Sequence, residues 1–221
     1  KRQTLHFRQL FKALELLGEE WFSHCEHAPF GLMSFKGTKM STRKGNVIFL
    51  ERVLDEAVQL TSSIVAEKNP DLRARDEISK AVGTSAIIFA DLDSRRTRDI
   101  VFDWEEALNF DGETGPYLQY THARFCSILR RYGREVGPGT DLQKLGAEAE
   151  MRVARQLAEF PHTVARAGAE NEPSLVATYL LELATGANKF YNELPVLKHE
   201  DEALVAARVV LVHCVRVVLR T

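Results

Sequence analysis

The stretch Thr114–Arg134 reads TGPYLQYTHARFCSILRRYGR and predicts a long amphipathic helix. Thr114 precedes Pro116, an arrangement typical of a helix start because threonine caps helices and proline suits their first turn. We expect the helix to continue to about Arg134, ahead of the glycine and proline break at Gly137–Gly139. The fold prediction for the rest of the chain starts from this helix.

The predicted helix has two different faces. At about 100° per residue, one narrow stripe carries a tyrosine and three arginines: Tyr120, Arg124, Arg131 and Arg134. The adjoining arc is aromatic and apolar and is expected to pack into a bundle: Tyr117, Leu118, Thr121, Phe125, Ile128, Leu129 and Tyr132. Arginines beside an aromatic ring suit unpaired RNA, because guanidinium groups meet phosphates and rings stack on bases. The alternative is a solvated helix whose arginines pair with acids such as Glu105, Glu106 and Glu113.

Helices are predicted on both sides of this stretch, from Glu51 to the end of the chain. Breaks between them are indicated at 69–70, 111–112, 137–139, 171–173 and Pro195. Pro173 fits the first turn of a helix reaching about Tyr191, with Asn171 as a candidate cap. The stretch Glu202–Leu219 is apolar on nearly every side, so we expect it to be a central helix.

The first 60 residues differ from the rest. Helical apolar spacing covers Leu5–Leu17, and Gly18 is a plausible stop. Two short apolar runs, Pro29–Phe35 and Val47–Leu50, then flank a polar loop. The predicted order is strand, basic loop, strand or turn, and helix.

The polar loop is strongly basic. It carries four cations and no acid between Lys36 and Lys44. Cations, hydroxyl donors and glycines together suit a polyphosphate, because they offset its charge and permit close backbone approach. A solvated basic turn is the alternative.

The residue order in this loop is informative. Lys39-Met40-Ser41-Thr42-Arg43 resembles the KMSKS signature of class I aminoacyl-tRNA synthetases, although Thr42 and Arg43 replace lysine and serine. The longer run KMSTRKGNVIFLERVLDE, residues 39–56, resembles the arginyl-tRNA synthetase family throughout. Residues 102–110 and 115–124 are similar to the entry into the anticodon-binding domain of that family. A weaker likeness covers residues 3–11, which are similar to a helix beside the substrate pocket.

The resemblance implies roles for particular residues. Lys39, Ser41 and Arg43 would stabilise the ATP triphosphate during catalysis, with Met40, Thr42 and Lys44 completing the ATP loop. Either Arg43 or Lys44 would replace the missing second lysine. Gln3 and His6 could face arginine or ATP; otherwise Gln3 is a helix cap and His6 a partly buried imidazole. The stripe of Tyr120, Arg124, Arg131 and Arg134 would contact tRNA.

The resemblance also implies an architecture and a reaction. We expect a mainly α chain: the end of a Rossmann-like catalytic domain at 1–60, a helical connection at 61–101, and an all-α anticodon-binding bundle of the DALR type at 102–221. The parent enzyme would join L-arginine to tRNA(Arg) with ATP and its accompanying Mg²⁺. The chain has no His-x-Gly-His signature, so we expect it to be a fragment without activity of its own.

Composition limits the other functions. No segment resembles a signal peptide or a membrane span, which predicts a cytoplasmic location without membrane contact. The three cysteines are widely spaced, so neither disulfides nor a zinc site are favoured, and no other metal site is predicted. The net charge of −2 argues against general binding to nucleic acid, and DNA is not an expected partner.

Other interpretations stay open at this point. One is a free-standing tRNA-binding module without catalysis, and another is a helical interaction protein with an incidental basic loop. A third is another class I synthetase with a related helical domain, such as the cysteine enzyme or the larger subunit of the glycine enzyme. A second basic cluster, Arg95, Arg96 and Arg98, could contact tRNA or stabilise a helix end.

Overall fold

The computed structural model describes residues 3–36, 49–110, 112–137 and 139–221. Within these ranges the chain is mainly helical, as predicted. The helices and strands are α1 (Thr4–Leu16), β1 (Met33–Phe35), α2 (Leu50–Lys68), α3 (Arg75–Asp93), β2 (Ile100–Phe102), α4 (Trp104–Ala107), α5 (Gly115–Tyr132), α6 (Glu148–Glu170), α7 (Ser174–Glu193) and α8 (Glu202–Arg220). Short 3-10 helices cover Glu20–His24 and Leu142–Lys144.

The two strands form a small parallel sheet. Met33 pairs with Ile100, and Phe35 pairs with Phe102. The carboxylate of Asp99 accepts a hydrogen bond from the Leu32 N–H at 2.9 Å, which holds the start of the sheet. Strand β1 was expected from the sequence, but the segment around Ile100 was expected to be part of a helical region. That prediction was wrong for β2.

The sheet packs on α2, α3 and α4. Five buried side chains form this first core: Val53, Ala57, Ile87, Phe102 and Ala107. Helices α2 and α3 approach closely at Gly83, where a Cβ would lie 2.8 Å from the Ala57 carbonyl oxygen. Only glycine fits this contact without a backbone shift.

The last four helices form a bundle with a second core. Phe125, Val153, Leu183, Phe190 and Val212 are fully or almost fully buried within it. The apolar face predicted for α5 is confirmed, since its side chains are buried or pack against this core. The central position predicted for α8 is also confirmed by its buried residues.

The two cores are joined by a small third cluster. Leu118 of α5 packs there with Leu181 and Ala184 of α7, and Phe89 of α3 packs against them. The helical bundle therefore rests on α3 through apolar contacts.

Several helix ends differ from the predictions. Helix α5 ends at Tyr132, because Gly133 adopts φ +67° and terminates it. Arg134 therefore lies beyond the helix instead of on its last turn. Asn171, predicted as a cap at the start of α7, is instead the left-handed residue that ends α6. The stop predicted at Gly18 is confirmed, since α1 ends at Leu16 and Gly18 has φ +79°.

Candidate nucleic-acid interface

The first turn of helix α5 is capped by a hydroxyl group. The Thr114 hydroxyl accepts a hydrogen bond from the Tyr117 N–H at 3.3 Å and donates one to the Asn109 carbonyl. Pro116 occupies the first turn, where its missing N–H costs nothing. The predicted helix start is confirmed, and it fixes the direction in which the following side chains point.

Arg124 is the most constrained residue of the predicted stripe. Its Nη1 donates a hydrogen bond to Asn188 Oδ1 at 2.9 Å. Its guanidinium carbon lies 4.9 Å from the centre of the Tyr120 ring and 5.7 Å from the centre of the Tyr191 ring. Cation–π attraction adds to the hydrogen bond, so the guanidinium group has a fixed place beside two aromatic rings.

Asn188 is in turn held from the other side. Its Nδ2 donates to the Tyr117 hydroxyl at 3.0 Å and to the Thr121 hydroxyl at 2.9 Å. Thr121 is fully buried and donates to the Tyr117 carbonyl. Both N–H groups of the Asn188 amide and its oxygen are therefore hydrogen-bonded within the protein. This network fixes α5 against α7.

We call Tyr120, Arg124, Asn188 and Tyr191 the Arg124 cluster. The cluster is open to solvent on one side, since Tyr120 is 54% exposed. In the described part of the chain, Arg124 makes no hydrogen bond other than the one to Asn188. Its remaining N–H groups can therefore donate to a ligand.

The other two arginines of the predicted stripe, Arg131 and Arg134, lie farther along the chain. Arg131 is exposed, about two turns from Arg124, and no described residue holds its side chain. Arg134 pairs with Glu202 at 3.3 Å, and both side chains are largely exposed. Such a pair is weak, so it competes little with a phosphate. Among the described acids, Glu105, Glu106 and Glu113 form no ion pair with the stripe.

Two residues of the Arg124 cluster, Asn188 and Tyr191, were not predicted from the sequence. Both lie on α7 and meet Arg124 only because the bundle packs α7 beside α5. A local signal existed, because Asn188 follows the buried Ala187 and precedes the buried Phe190 by two positions. A polar side chain next to buried residues of a helix must find hydrogen-bond partners.

The three arginines of the second basic cluster, Arg95, Arg96 and Arg98, differ in their surroundings. Arg96 donates to the main-chain carbonyls of Pro29 and Asn171 at 2.7 and 2.8 Å, and its N–H donates to Glu172. It therefore joins the segment before β1 to the end of α6. This supports the structural alternative for Arg96. Arg95 and Arg98 are exposed and line a cleft that also contains acids, Asp93, Glu159 and Glu182.

The predicted ATP loop falls on residues that the structure does not describe. Lys39, Met40, Ser41, Thr42, Arg43 and Lys44 all lie outside the described ranges. At the edge of the loop, Lys36 Nζ lies 2.5 Å from Asp103 Oδ2. This hydrogen bond raises the pKa of Lys36 and is the main cause that lowers the pKa of Asp103. Asp103 also caps α4 through the Glu105 N–H at 2.9 Å, so the ion pair connects the strand before the loop to α4.

Gln3 and His6 lie at the start of α1. Gln3 occupies the N-cap position without a side-chain cap hydrogen bond, and both side chains are exposed. The His6 ring contacts Phe7 edge-on, with centroids 5.5 Å apart. The described residues do not test a substrate-pocket role for either residue.

The described ranges contain neither a metal-binding cluster nor a membrane-spanning helix. No group of three or more His, Cys, Asp or Glu side chains there could hold a metal ion. No helix in the same ranges is long and apolar enough to cross a membrane.

Comparison with known proteins identifies the family. A family model described as "tRNA synthetases class I (R), catalytic domain" matches residues 1–104, and one described as "DALR anticodon binding domain" matches residues 118–221. The arginine–tRNA ligase of Clostridium perfringens is 47% identical over 221 residues, 100% of this chain and 39% of that protein. The chain belongs to the arginyl-tRNA synthetase family.

Solved structures agree with this arginyl-tRNA synthetase assignment. The Thermus thermophilus arginyl-tRNA synthetase superimposes with a TM-score of 0.85 and 34% identity, covering 95% of this chain and 36% of that one. A second curated relative, the arginine–tRNA ligase of Clostridium beijerinckii, is 47% identical over 210 residues, 95% of this chain and 37% of the relative. The chain thus spans less than two fifths of its curated relatives. The predicted fold class is confirmed: the end of a class I catalytic domain followed by an all-α DALR bundle.

Proposed function

We propose that this chain supplies the ATP loop and the tRNA-binding helices of an enzyme that joins L-arginine to tRNA(Arg). The observation that carries the proposal is the consecutive match of a catalytic model and an anticodon-binding model along the chain. The curated relatives that support it are named arginine–tRNA ligases. We further propose that residues 1–60 are the end of the catalytic domain, that 61–101 are a helical connection and that 102–221 are the anticodon-binding bundle.

The proposed reaction has two steps. ATP and L-arginine give arginyl-adenylate and pyrophosphate, and tRNA(Arg) then takes the arginyl group and releases AMP. Lys39, Ser41 and Arg43 stabilise the triphosphate as charge shifts to the leaving pyrophosphate. Met40, Thr42 and Lys44 complete the loop, and Mg²⁺ accompanies ATP. These roles rest on the residue order in the loop.

The helical bundle would hold the tRNA. Tyr120 and Arg124 lie together on its exposed side, with Arg131 along the same helix and Arg134 just past its end. Arginine pairs with phosphates through a planar fork, and a tyrosine ring stacks on an unpaired base. An anticodon loop offers both groups. A cytoplasmic location and a substrate-facing role for Gln3 and His6 belong to the same proposal.

The first test of the proposal uses the longer protein of which such a chain forms part. Pyrophosphate exchange is measured with each amino acid in the presence of tRNA, and arginine is expected to be the amino acid that supports exchange. Exchange that depends on another amino acid would overturn the proposal, as would tRNA binding without any exchange.

Two variants separate the proposed roles. Lys39→Ala is expected to lower the exchange rate by roughly 100-fold or more, because a charge-stabilising group is lost in the transition state. Arg124→Ala is expected to raise the Kd for tRNA by about 10-fold or more and to change the saturated exchange rate little. Steady-state kinetics and a tRNA titration measure the two effects. The reverse pattern would contradict the assignment.

A further inference from the structure

A group of chemically reactive side chains lies where α5 packs along α8. Cys126 and His122 are one turn apart on α5, and the Cys126 Sγ lies 3.7 Å from His122 Nε2 and 3.9 Å from His122 Nδ1. Both side chains are half-buried. Around the helix axis, Cys126 points about 160° away from Arg124. The pair of Cys126 and His122 is therefore separate from the Arg124 cluster.

Two arginines of α8 give the surroundings of this pair a positive charge. Burial and then the charges of Arg216 and Arg220 lower the pKa of His122. Within the described ranges neither arginine forms an ion pair, and the buried Nε of Arg216 has no hydrogen-bond partner. A buried donor without a partner is costly, and an incoming anion can accept its hydrogen bond. The positive charge beside Cys126 and His122 is therefore available to an anionic molecule.

We propose that Cys126 is a modification site for anionic disulfides, with His122 as the proton acceptor and with Arg216 and Arg220 attracting the disulfide. Oxidised glutathione is the probe for this chemistry, because it carries more carboxylates than ammonium groups. The site does not depend on the proposed function, since it concerns thiol chemistry on the other side of α5.

The proposed reaction is a thiol–disulfide exchange. His122 is neutral at pH 7, because its pKa is lowered, and its imidazole accepts the proton of the Cys126 thiol. The thiolate then attacks one sulfur of the disulfide, so that a new sulfur–sulfur bond forms as the old one breaks. The other half leaves as a thiolate and takes the proton from His122. One disulfide and one thiol are present before and after the exchange.

The other two cysteines have different surroundings. Burial raises the pKa of the Cys214 thiol, which disfavours the reactive thiolate at neutral pH. The Cys25 thiol donates to the Trp21 carbonyl at 3.8 Å and, among the described residues, makes no hydrogen bond to an imidazole. All three cysteines are half-buried, so exposure does not separate them. We therefore expect Cys126 to react first.

Peptide mass spectrometry after incubation of the chain with oxidised glutathione tests the site. Cys126 should form the mixed disulfide roughly 10-fold faster than Cys25 or Cys214. His122→Gln should slow the reaction of Cys126 by about 10-fold or more, because an amide does not accept the proton. Equal rates at the three cysteines would overturn the site, and a wild-type rate in His122→Gln would overturn the role of the imidazole.

The charge of the disulfide tests the two arginines. The double variant Arg216→Gln, Arg220→Gln should react roughly 10-fold more slowly with oxidised glutathione and at an unchanged rate with the neutral hydroxyethyl disulfide. Arg155→Gln is the control, since this exposed arginine lies on α6 and pairs with Glu148. An unchanged rate of the double variant with oxidised glutathione would overturn the attraction of anions.

A salt series with the wild-type chain supplies a test that needs no variant to fold. Sodium chloride screens charges, so it should slow the reaction of Cys126 with oxidised glutathione and leave the reaction with hydroxyethyl disulfide unchanged. Thermal unfolding of each variant shows whether it keeps the fold. Equal salt effects on the two disulfides would overturn the role of Arg216 and Arg220.

Discussion

Among single residues, Glu150 and Arg208 form the most buried ion pair in the described part of the chain. Their side chains are 1% and 6% exposed, and Arg208 Nε donates to Glu150 Oε1 at 2.6 Å. The other carboxylate oxygen accepts the N–H groups of Gly146 and Ala147, both at 2.8 Å. The pair joins the start of α6 to the middle of α8. It was not predictable, because 58 residues separate its members and neither has a distinctive neighbourhood in sequence.

The Glu150 carboxylate should make stability depend on pH. Burial alone would raise the pKa of Glu150, but the hydrogen bonds from Arg208 and from the backbone outweigh burial and lower this pKa below its ordinary value. A lowered folded pKa gives stability that is present above the unfolded value and is lost as pH falls through the folded value. Glu150→Gln should therefore lose about 3 kcal/mol of unfolding free energy at neutral pH, and this loss should shrink in acid.

Urea unfolding at a series of pH values measures the Glu150 effect. Glu148→Gln is the matched control, since Glu148 is 72% exposed and its pair with Arg155 should contribute little. A difference between wild type and Glu150→Gln that stays constant or grows in acid would contradict the pKa argument.

At the scale of helices and strands, long periodic segments were predicted well. The spacing of apolar residues gave α1, α5 and α8 nearly at their observed bounds. Strand β2 was missed because it has three residues and its partner lies far back in the chain. Its stability comes from pairing with β1, which local sequence cannot show. The Arg124 cluster was half predicted for the same reason: Tyr120 and Arg124 share a helix, while Asn188 and Tyr191 do not.

Gly133 ends α5 and should be sensitive to substitution. Its φ of +67° is costly for a residue with a Cβ, although its surroundings are open. Gly133→Ala should lower the unfolding free energy by about 1–2 kcal/mol. Gly168→Ala is the control, because Gly168 lies inside α6 with open space around it and alanine should stabilise that helix by about 0.5–1 kcal/mol. Chemical denaturation gives both values. Changes in unfolding free energy of the same sign for the two variants would contradict the role of Gly133 in ending α5.

At the scale of the whole molecule, Arg96 connects the first core to the bundle. Its guanidinium group donates to Pro29 on one side and to Asn171 at the end of α6 on the other. Neither contact was predictable, because both acceptors are backbone carbonyls brought close only by the fold. This connection and the third cluster, in which Leu118 packs with Leu181 and Ala184, hold the two cores together.

Removal of the Arg96 connection should destabilise the chain as a whole. Arg96→Ala is expected to lose about 1–3 kcal/mol of unfolding free energy, because it leaves carbonyls without their charged donor. Arg98→Ala is the control, since that side chain is exposed and donates no hydrogen bond among the described residues. Equal unfolding curves for the two variants would show that the connection contributes nothing.

The proposed function requires the exposed side of α5 to bind tRNA. Arg130 and Arg131 form a matched pair, because both are exposed neighbours on α5 but point about 100° apart. The direct measurement is the Kd of the chain for a tRNA(Arg) transcript across a series of salt concentrations. Arg131→Ala should weaken binding and flatten the slope of log Kd against log salt by about 0.7–0.9, the contribution of one phosphate contact. Arg130→Ala should leave both unchanged, and equal effects of the two variants would contradict the claim.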